Sequence, residues 1–197
     1  MEFLEAVTRR RSQYSISKET PVSDKEIIDL VKRLISVVPS AYNSQSARVV
    51  LLFGRRHDRL WNIVLETLRA HVPPEKFGPT EAKIAEFAHG YGTILYFDDT
   101  AVTSGFATQF PRYRDNFLPW AEQANGMLQF AVWTALEERG LGASLQHYNP
   151  IIDDQVHEVF AIPNNWRLIA QMPFGKPTAP PLPVDKVSAE ERMMVLK

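Results

Sequence analysis

The densest basic patch of the sequence is a run of three arginines followed by a serine, Arg9 to Ser12. Arginine presents a planar fork of hydrogen-bond donors that matches a phosphate, and a serine hydroxyl can supply a further hydrogen bond. The run follows a short segment in which Phe3 and Val7 lie one helical turn apart. It therefore predicts either a phosphate site or a cationic cluster at the C-terminal end of a first helix, where the helix dipole favours positive charge.

Two further stretches carry groups suited to a flat heterocyclic ring. Residues 39–46 include Asn43 and Gln45 in a polar, turn-forming segment that directly precedes an apolar run. Amide side chains can hydrogen-bond both the donors and the acceptors along one edge of an isoalloxazine ring. The turn from Leu145 to Pro150 leaves a predicted strand and could bring a backbone N–H close to the flavin atom N5.

These stretches together offer what flavin mononucleotide (FMN) requires. Arg10, Arg11 and Ser12 are candidates for its terminal phosphate, and Lys186, which follows a proline-rich segment, is a further candidate. Spacing along the chain does not show that the segments meet in space, so this interpretation depends on the fold.

Other common chemistries find little support in the sequence. There is no cysteine, which excludes disulfides, thiolate catalysis and cysteine-ligated metal centres. The five histidines form no metal-binding pattern: His157-Glu158 would need a histidine at position 161, where the sequence has Ala161. Walker A and Gly-x-Ser-x-Gly motifs are also missing. We therefore predict no metal site and identify no catalytic side chain.

Composition indicates a single-domain protein of the soluble globular class. The chain has 197 residues, of which 45% are hydrophobic, and a formal net charge of −1. This balance gives no bulk field to attract nucleic acid or a membrane surface. No apolar run approaches the roughly 18 residues that would span a bilayer, and no signal peptide is evident at the N-terminus. We expect a cytoplasmic protein.

Hydrophobic periodicity predicts the elements that must position the candidate residues. A capping box, Ser23-Asp-Lys-Glu26, begins a helix that ends at Pro39. Further helices are predicted over residues 57–71, 80–89, 116–139 and 152–160. Strands are predicted over residues 49–53, 93–97, 143–145 and 167–172. Helices and strands alternate with long, uneven connections, which favours an α+β fold with a mixed sheet flanked by helices.

The predicted helix over residues 116–139 is apolar around most of its circumference. Such a helix is buried in the core or in a subunit interface. Gly126 in its middle lowers helix propensity, which suggests close backbone approach or a bend there. We expect one domain over residues 1–197, in which residues 173–197 form an extended, proline-rich C-terminal arm.

The same stretches resemble the nitroreductase family of FMN-dependent oxidoreductases, in order and nearly from end to end. The shared features are Arg-Arg-Ser near the N-terminus, Pro-Ser-x-x-Asn-Ser-Gln before the first long strand, and a Gly-Leu-Gly segment. The sequence is most similar to the small fatty-acid-repression-mutant-like branch, through four motifs. They are Gly90-Tyr-Gly-Thr93, Phe117-x-x-Trp120, Leu145-Gln-His-Tyr-Asn-Pro150 and Met172-Pro-Phe-Gly175.

The resemblance implies a homodimer with two FMN sites, each formed by both subunits, and a long central helix at the interface. If the family's site residues are assigned to the matching positions of this sequence, the phosphate would be held by Arg10, Arg11, Ser12 and Lys186. Asn43 and Gln45 would contact the ribityl chain and ring edge, and Leu145, Gln146 and His147 would lie near N5. Ser40 and Lys83 are weaker candidates. The sequence departs from the family at Tyr14, where many members carry Arg or Lys, so the role of Tyr14 stays open.

An aromatic-rich segment could line an acceptor cavity over the flavin or belong to the core or interface. Its members are Phe106, Phe110, Tyr113, Phe117 and Trp120. Asn43 and Gln45 could equally satisfy the backbone of a turn, and His147 could be a locally hydrogen-bonded strand-end histidine.

The function implied is an FMN-containing reductase that takes hydride from NADH or NADPH and passes it to nitroaromatic or quinone-like acceptors by a ping-pong mechanism. The alternative is a flavin- or lipid-responsive regulatory binding protein with incidental reductase activity. A nucleic-acid-binding module would need the Arg9–Arg11 patch to extend over a whole face, and the nearly neutral charge argues against it.

Overall fold

A central antiparallel sheet organises the computed structural model, which describes residues 2–197. Its strands are β1 (Ile16–Ser17), β2 (Ala47–Phe53), β3 (Gly92–Asp99), β4 (Gly142–Ala143) and β5 (Trp166–Pro177). The strand order is β1-β5-β3-β2, and β4 also pairs with β5. Each of these pairings is antiparallel. The parallel component of the expected mixed sheet is an isolated bridge between Ser12 and Ala143.

Seven α-helices surround this sheet in the described residues and confirm the α+β class. They are α1 (Phe3–Arg9), α2 (Asp24–Val37), α3 (Arg55–Arg69), α4 (Gly78–Ala88), α5 (Thr100–Gln109), α6 (Phe117–Glu138) and α7 (Asp153–Phe160). Both hydrogen bonds of the predicted capping box at Ser23 and Glu26 are present. The predicted bounds of α3, α4, α6 and α7 agree with these helices to within about two residues.

Two features differ from the sequence prediction. Helix α5 was not predicted, because Asp98-Asp99 looks like the polar stop of a strand. Instead, the Asp99 side chain accepts from the N–H groups of Ala101 and Val102 and so begins the next helix. Strand β5 continues to Pro177, so the extended arm begins at Thr178 rather than at Pro173.

The alternation of side chains along the central strands divides the core into two layers. On one face, Ile94 and Tyr96 of β3 pack with Leu128 and Val132 of α6 and with apolar residues of α2. On the other face, Leu95 of β3 packs with residues of α3, α4 and α7. Helix α6 is unbroken over 22 residues. No helix among residues 2–197 combines the length and apolar character needed to cross a membrane.

Candidate functional site

A cationic cavity forms where the N-terminal segment meets the C-terminal arm. Its volume is about 410 Å³, and its lining residues are Arg10, Arg11, Ser12, Tyr14, Leu182, Pro183, Val184 and Lys186. The fold therefore brings together all four residues expected at a phosphate, although Lys186 lies more than 170 positions from the others in sequence. Three cations and a hydroxyl around one cavity suit a dianion.

Pairing with β4 holds the N-terminal segment in place. The Gln13 N–H donates to the Ala143 carbonyl at 2.9 Å, and Ser12 forms the parallel bridge to the same residue. Gly142 makes this approach possible, because a Cβ there would lie 2.5 Å from Gln13 Cγ. The arm is fixed by two side chains: Arg11 Nη2 donates to the Leu182 carbonyl at 2.6 Å, and Gln13 Nε2 donates to the Ala179 carbonyl.

Arg10 is the cation most in need of an anionic partner. Its guanidinium carbon lies 4.3 Å from the ring centroid of Trp133 on α6, and its buried Nε has no hydrogen-bond partner among the described residues. Burial lowers the pKa of Arg10, the positive charge of Arg11 lowers it further, and Glu137 opposes both effects. A phosphate bound beside Arg10 would offset the repulsion between the two arginines.

Tyr14 lies in this cavity, at the position where the resemblance leads one to expect a basic residue. Its ring packs 6.1 Å from Phe87, so it joins the cationic cavity to the second core layer. Its proximity also contributes to the pKa of Tyr148, which rises to about 12, chiefly through burial. The position thus offers a phenol side chain rather than a third arginine or a lysine.

The segment from Ser40 to Ser46 is an unusual turn. Tyr42, Asn43 and Gln45 all have positive φ, at 55°, 51° and 51°. Left-handed backbone in a residue other than glycine costs roughly 1–3 kcal/mol and persists only where the surroundings impose it. Here Ser40 contributes, since its carbonyl accepts from the Asn43 N–H and its hydroxyl accepts from the Gln45 N–H, both at 2.9 Å.

This turn forms one wall of a second cavity, of about 330 Å³, between α2, the start of β2 and the middle of α6. Ser40 and Gln45 line it together with Arg48, Ala124 and Leu128. Asn43 lies in the same turn, and its side chain is exposed. Within one chain the amide residues therefore belong to a different cavity from the arginines.

The segment from Leu145 to His147 lies along β5. One of its backbone N–H groups is directed toward this strand, and its neighbours are directed away from it. Gln146 exchanges both backbone hydrogen bonds with Gln171, at 2.7 and 2.9 Å, and its side-chain Nε2 donates to Ser144 Oγ at 3.0 Å. In an antiparallel pair the neighbouring residues direct their N–H groups the other way. The N–H groups of Leu145 and His147 therefore point away from β5, whereas Gln146 is occupied in holding the segment.

Comparison with known proteins identifies the family of this chain. The model of the Nitroreductase family matches residues 7–176. Two proteins of Saccharomyces cerevisiae, HBN1 and the nitroreductase FRM2, are each 34% identical to it, and each match covers 91% of this chain and 90% of the relative. The chain belongs to the nitroreductase family.

Solved structures agree with this assignment over the whole chain. The nitroreductase CinD from Lactococcus lactis in complex with nicotinic acid is 37% identical, with a TM-score of 0.92. The same protein in complex with 4-nitrophenol is 38% identical, with a TM-score of 0.89. Both matches cover 100% of each chain. The family and its named relatives assign the chain to the oxidoreductases.

Six aromatic residues gather beside the Ser40–Ser46 turn, and we call them the aromatic cluster. It comprises Tyr42, Phe106, Phe110, Tyr113, Phe117 and Trp120. Sequence reasoning missed Tyr42, which lies in the turn, far from the other five in sequence. Its neighbours Asn43 and Gln45 had drawn attention to the amides, and only the fold brings its ring to α5 and α6.

Two further predictions concern Lys83 and metal binding. Lys83 is exposed on α4, with its Nζ 6.0 Å from the Phe87 ring centroid, and it does not line the cationic cavity. Over residues 2–197, no group of histidine and carboxylate side chains could hold a metal ion.

Proposed function

We propose that this protein is an FMN-dependent oxidoreductase that transfers hydride from NADH or NADPH to nitroaromatic or quinone-like acceptors. The observation that carries the proposal is the cationic cavity, in which Arg10, Arg11, Ser12 and Lys186 surround one volume. Arg10 lines this cavity together with Arg11 and Lys186, and the terminal phosphate of FMN would offer acceptors to these cations.

The protein's part in the reaction is binding, orientation and electrostatics. Arg10, Arg11, Ser12 and Lys186 would hold the phosphate, and Asn43 and Gln45 would hydrogen-bond the ribityl chain and ring edge. The outward N–H groups of Leu145 and His147 would lie near N5. When bound, FMN supplies the hydride-accepting and hydride-donating chemistry, so no side-chain nucleophile is needed. Use of one pocket in turn by the nicotinamide and the acceptor gives ping-pong kinetics.

A homodimer would unite the two cavities. In one chain the amide residues and the arginines lie in separate cavities, whereas a site shared between subunits would combine them. An apolar groove of about 550 Å³ supports such an interface. Its lining includes Phe3 of α1 together with Met127 and Phe130 of α6. These three side chains are 69%, 44% and 41% exposed, a patch that favours association with a second copy.

The two CinD complexes support the proposed substrates. Nicotinic acid is the carboxylic acid counterpart of the nicotinamide ring, and 4-nitrophenol is a nitroaromatic. Each is a flat ring of the size that could stack on a flavin, and the aromatic cluster offers further surface for such a ring.

The absorption spectrum of the purified protein and the chemical identity of its cofactor test the proposal. We expect a flavin spectrum, release of FMN rather than FAD on heating, and bleaching of the flavin band when NADH or NADPH is mixed in a stopped-flow instrument. A nitroaromatic or quinone should restore the band. FAD, or no flavin after reconstitution, would overturn the cofactor assignment. A flavin that stays oxidised with both nucleotides would favour the regulatory binding protein instead.

A further inference from the structure

The Ser40–Ser46 turn is held from outside at both ends of its left-handed section. Tyr42, Asn43 and Gln45 carry the positive φ values, and none of them is a glycine that would adopt this backbone freely. The hydrogen bonds from Ser40 are internal to the turn. The contacts that fix it relative to the rest of the molecule come from Tyr42, from Arg48, and from the Asp99 N–H, which donates to the Ser46 carbonyl at 2.8 Å.

Tyr42 attaches the turn to the aromatic cluster. Its ring centroid lies 4.8 Å from that of Phe110, 5.5 Å from Phe117 and 6.0 Å from Trp120, and it stacks on Trp120 with an interplanar angle of 23°. The ring thus contacts α6 and the end of α5 together. Because Asn43 is the next residue, packing of this ring also restrains the backbone from which the Asn43 side chain extends.

Arg48 attaches the other end of the turn to the same helix, α5. Its Nη1 donates to the Gln45 carbonyl at 2.7 Å, and its Nη2 donates to Asp99 Oδ2 at 2.8 Å. Asp99 in turn accepts from the Ala101 N–H at 3.1 Å through Oδ1, at the start of α5. The Arg48 and Asp99 side chains are only 29% and 11% exposed, so water screens this pair weakly.

Both attachments therefore end on α5 and the aromatic cluster. We infer that Tyr42 is a positioning residue: its ring sets the orientation of Asn43 and Gln45 and couples them to the surface on which aromatic acceptors stack. The inference rests on the proposed function, in which these amides contact the flavin. Its consequence is that removing the Tyr42 ring alters FMN affinity and acceptor preference together, although Tyr42 does not line the cationic cavity.

The substitution Tyr42→Leu tests this coupling, with Tyr42→Phe and Tyr113→Leu as matched controls. We expect Tyr42→Leu to weaken FMN binding by about tenfold. It should also lower kcat/KM for a two-ring quinone more than for p-benzoquinone. Tyr42→Phe keeps the ring and should restore both properties. Tyr113 contacts Tyr42 and Trp120 from outside the turn, so Tyr113→Leu should change acceptor preference and leave FMN affinity unchanged.

Flavin fluorescence titration of the apoprotein measures FMN affinity independently of turnover. A double-mutant cycle with Phe110→Leu adds a second measurement, since the two rings acting as a unit give effects on FMN affinity that are not additive. Wild-type affinity in Tyr42→Leu, equal loss in Tyr113→Leu, or additive effects in the cycle would overturn the inference alone. Wild-type protein that binds no FMN would overturn the proposed function and the inference with it.

Discussion

The two faces of the central sheet differ in how completely a single chain covers them. On the face with α3, α4 and α7, the largest side chains are buried, with Trp61 and Phe87 only 1% and 0% exposed. On the face with α2 and α6, Met127 and Phe130 are 44% and 41% exposed, beside Phe3 of α1, which is 69% exposed. The chain thus buries the apolar side chains of the first face, with α3, α4 and α7, which we call the covered face. It leaves apolar side chains exposed on the second, with α2 and α6, which we call the open face and which offers a surface for a partner.

His57 on the covered face and Arg10 on the open face differ in how their buried nitrogens are hydrogen-bonded. On the covered face, His57 Nδ1 lies 2.8 Å from Thr93 Oγ1 and His57 Nε2 lies 3.2 Å from the Ala88 carbonyl, so both ring nitrogens are satisfied. On the open face, the buried Nε of Arg10 has no partner within the described chain. Unsatisfied buried donors are costly in a finished core. Arg10 lies beside the cationic cavity, where an anionic ligand would suit it; on the covered face, Asp153 Oδ1 of α7 is likewise buried without a partner among the described residues.

The largest expected effect comes from blocking the open face at Gly126. A Cβ at this position would meet no atom of the chain within 4 Å, so the close approach suggested by the sequence is not made within one chain. Gly126→Trp should leave the monomer folded but separate the subunits and release FMN. Asn62→Trp, at an exposed position of α3 on the covered face, should retain both the dimer and the flavin.

Sedimentation velocity over a range of protein concentrations, with and without FMN, makes this measurement. If FMN binds only to the dimer, adding FMN should shift the monomer–dimer equilibrium towards the dimer. A Gly126→Trp protein that remains dimeric would place the interface elsewhere. A wild-type monomer that keeps its flavin at micromolar concentration would contradict the shared site.

An intermediate effect is expected from Arg11→Ala in the cationic cavity. A hydrogen bond to a charged group contributes about 1.5–3 kcal/mol, so FMN affinity should fall by roughly ten- to a hundredfold. Arg9→Ala is the matched control, because Arg9 belongs to the same run but pairs with Glu5 and Glu137 at the surface. Fluorescence titration should show nearly unchanged affinity for Arg9→Ala. Similar losses in both variants would indicate a general electrostatic attraction rather than a phosphate contact at Arg11.

The sequence predicted the parts of the molecule that local patterns determine. Periodicity located α3, α4, α6 and α7, and the capping box located the start of α2, because these signals depend on neighbours a few residues apart. Helix α5 was missed because its N-cap, Asp99, also ends a strand. The arm was predicted to begin too early because residues 173–183 hold five of the fourteen prolines, whereas β5 continues to Pro177.

The sequence identified four residues that line the cationic cavity but not how the chain brings them together. The arginine run and Lys186 were identified by residue type and family resemblance, yet only the β4 pairing and the Arg11–Leu182 hydrogen bond bring them together. No sequence pattern indicated a role for Tyr42, because tyrosine is not a residue type expected in left-handed backbone. Long-range contacts of this kind are fixed by tertiary packing, which local spacing does not encode.

The smallest expected effect concerns the covered face and depends on pH. Burial lowers the pKa of His57. The Ala88 carbonyl can only accept, so Nε2 carries the proton, and the Thr93 hydroxyl, which accepts from Trp61 Nε1 at 3.0 Å, can donate to Nδ1. The unfolded chain takes up a proton near pH 6.5 and the folded chain resists it, so the contribution of His57 is complete above about pH 6.5 and is lost as pH falls.

We therefore expect the free energy of unfolding of the apoprotein, measured in urea, to decrease between about pH 7 and pH 5. His57→Gln should lower stability at pH 7, because it disturbs the Thr93 and Ala88 hydrogen bonds, but its pH dependence should be shallower than that of the wild type. His147→Gln replaces an exposed histidine and serves as the control. Equal slopes in the wild type and His57→Gln would mean that the covered face does not exclude the charged form. That result would remove the contrast between His57, whose two ring nitrogens have partners within the chain, and Arg10, whose buried Nε has none among the described residues.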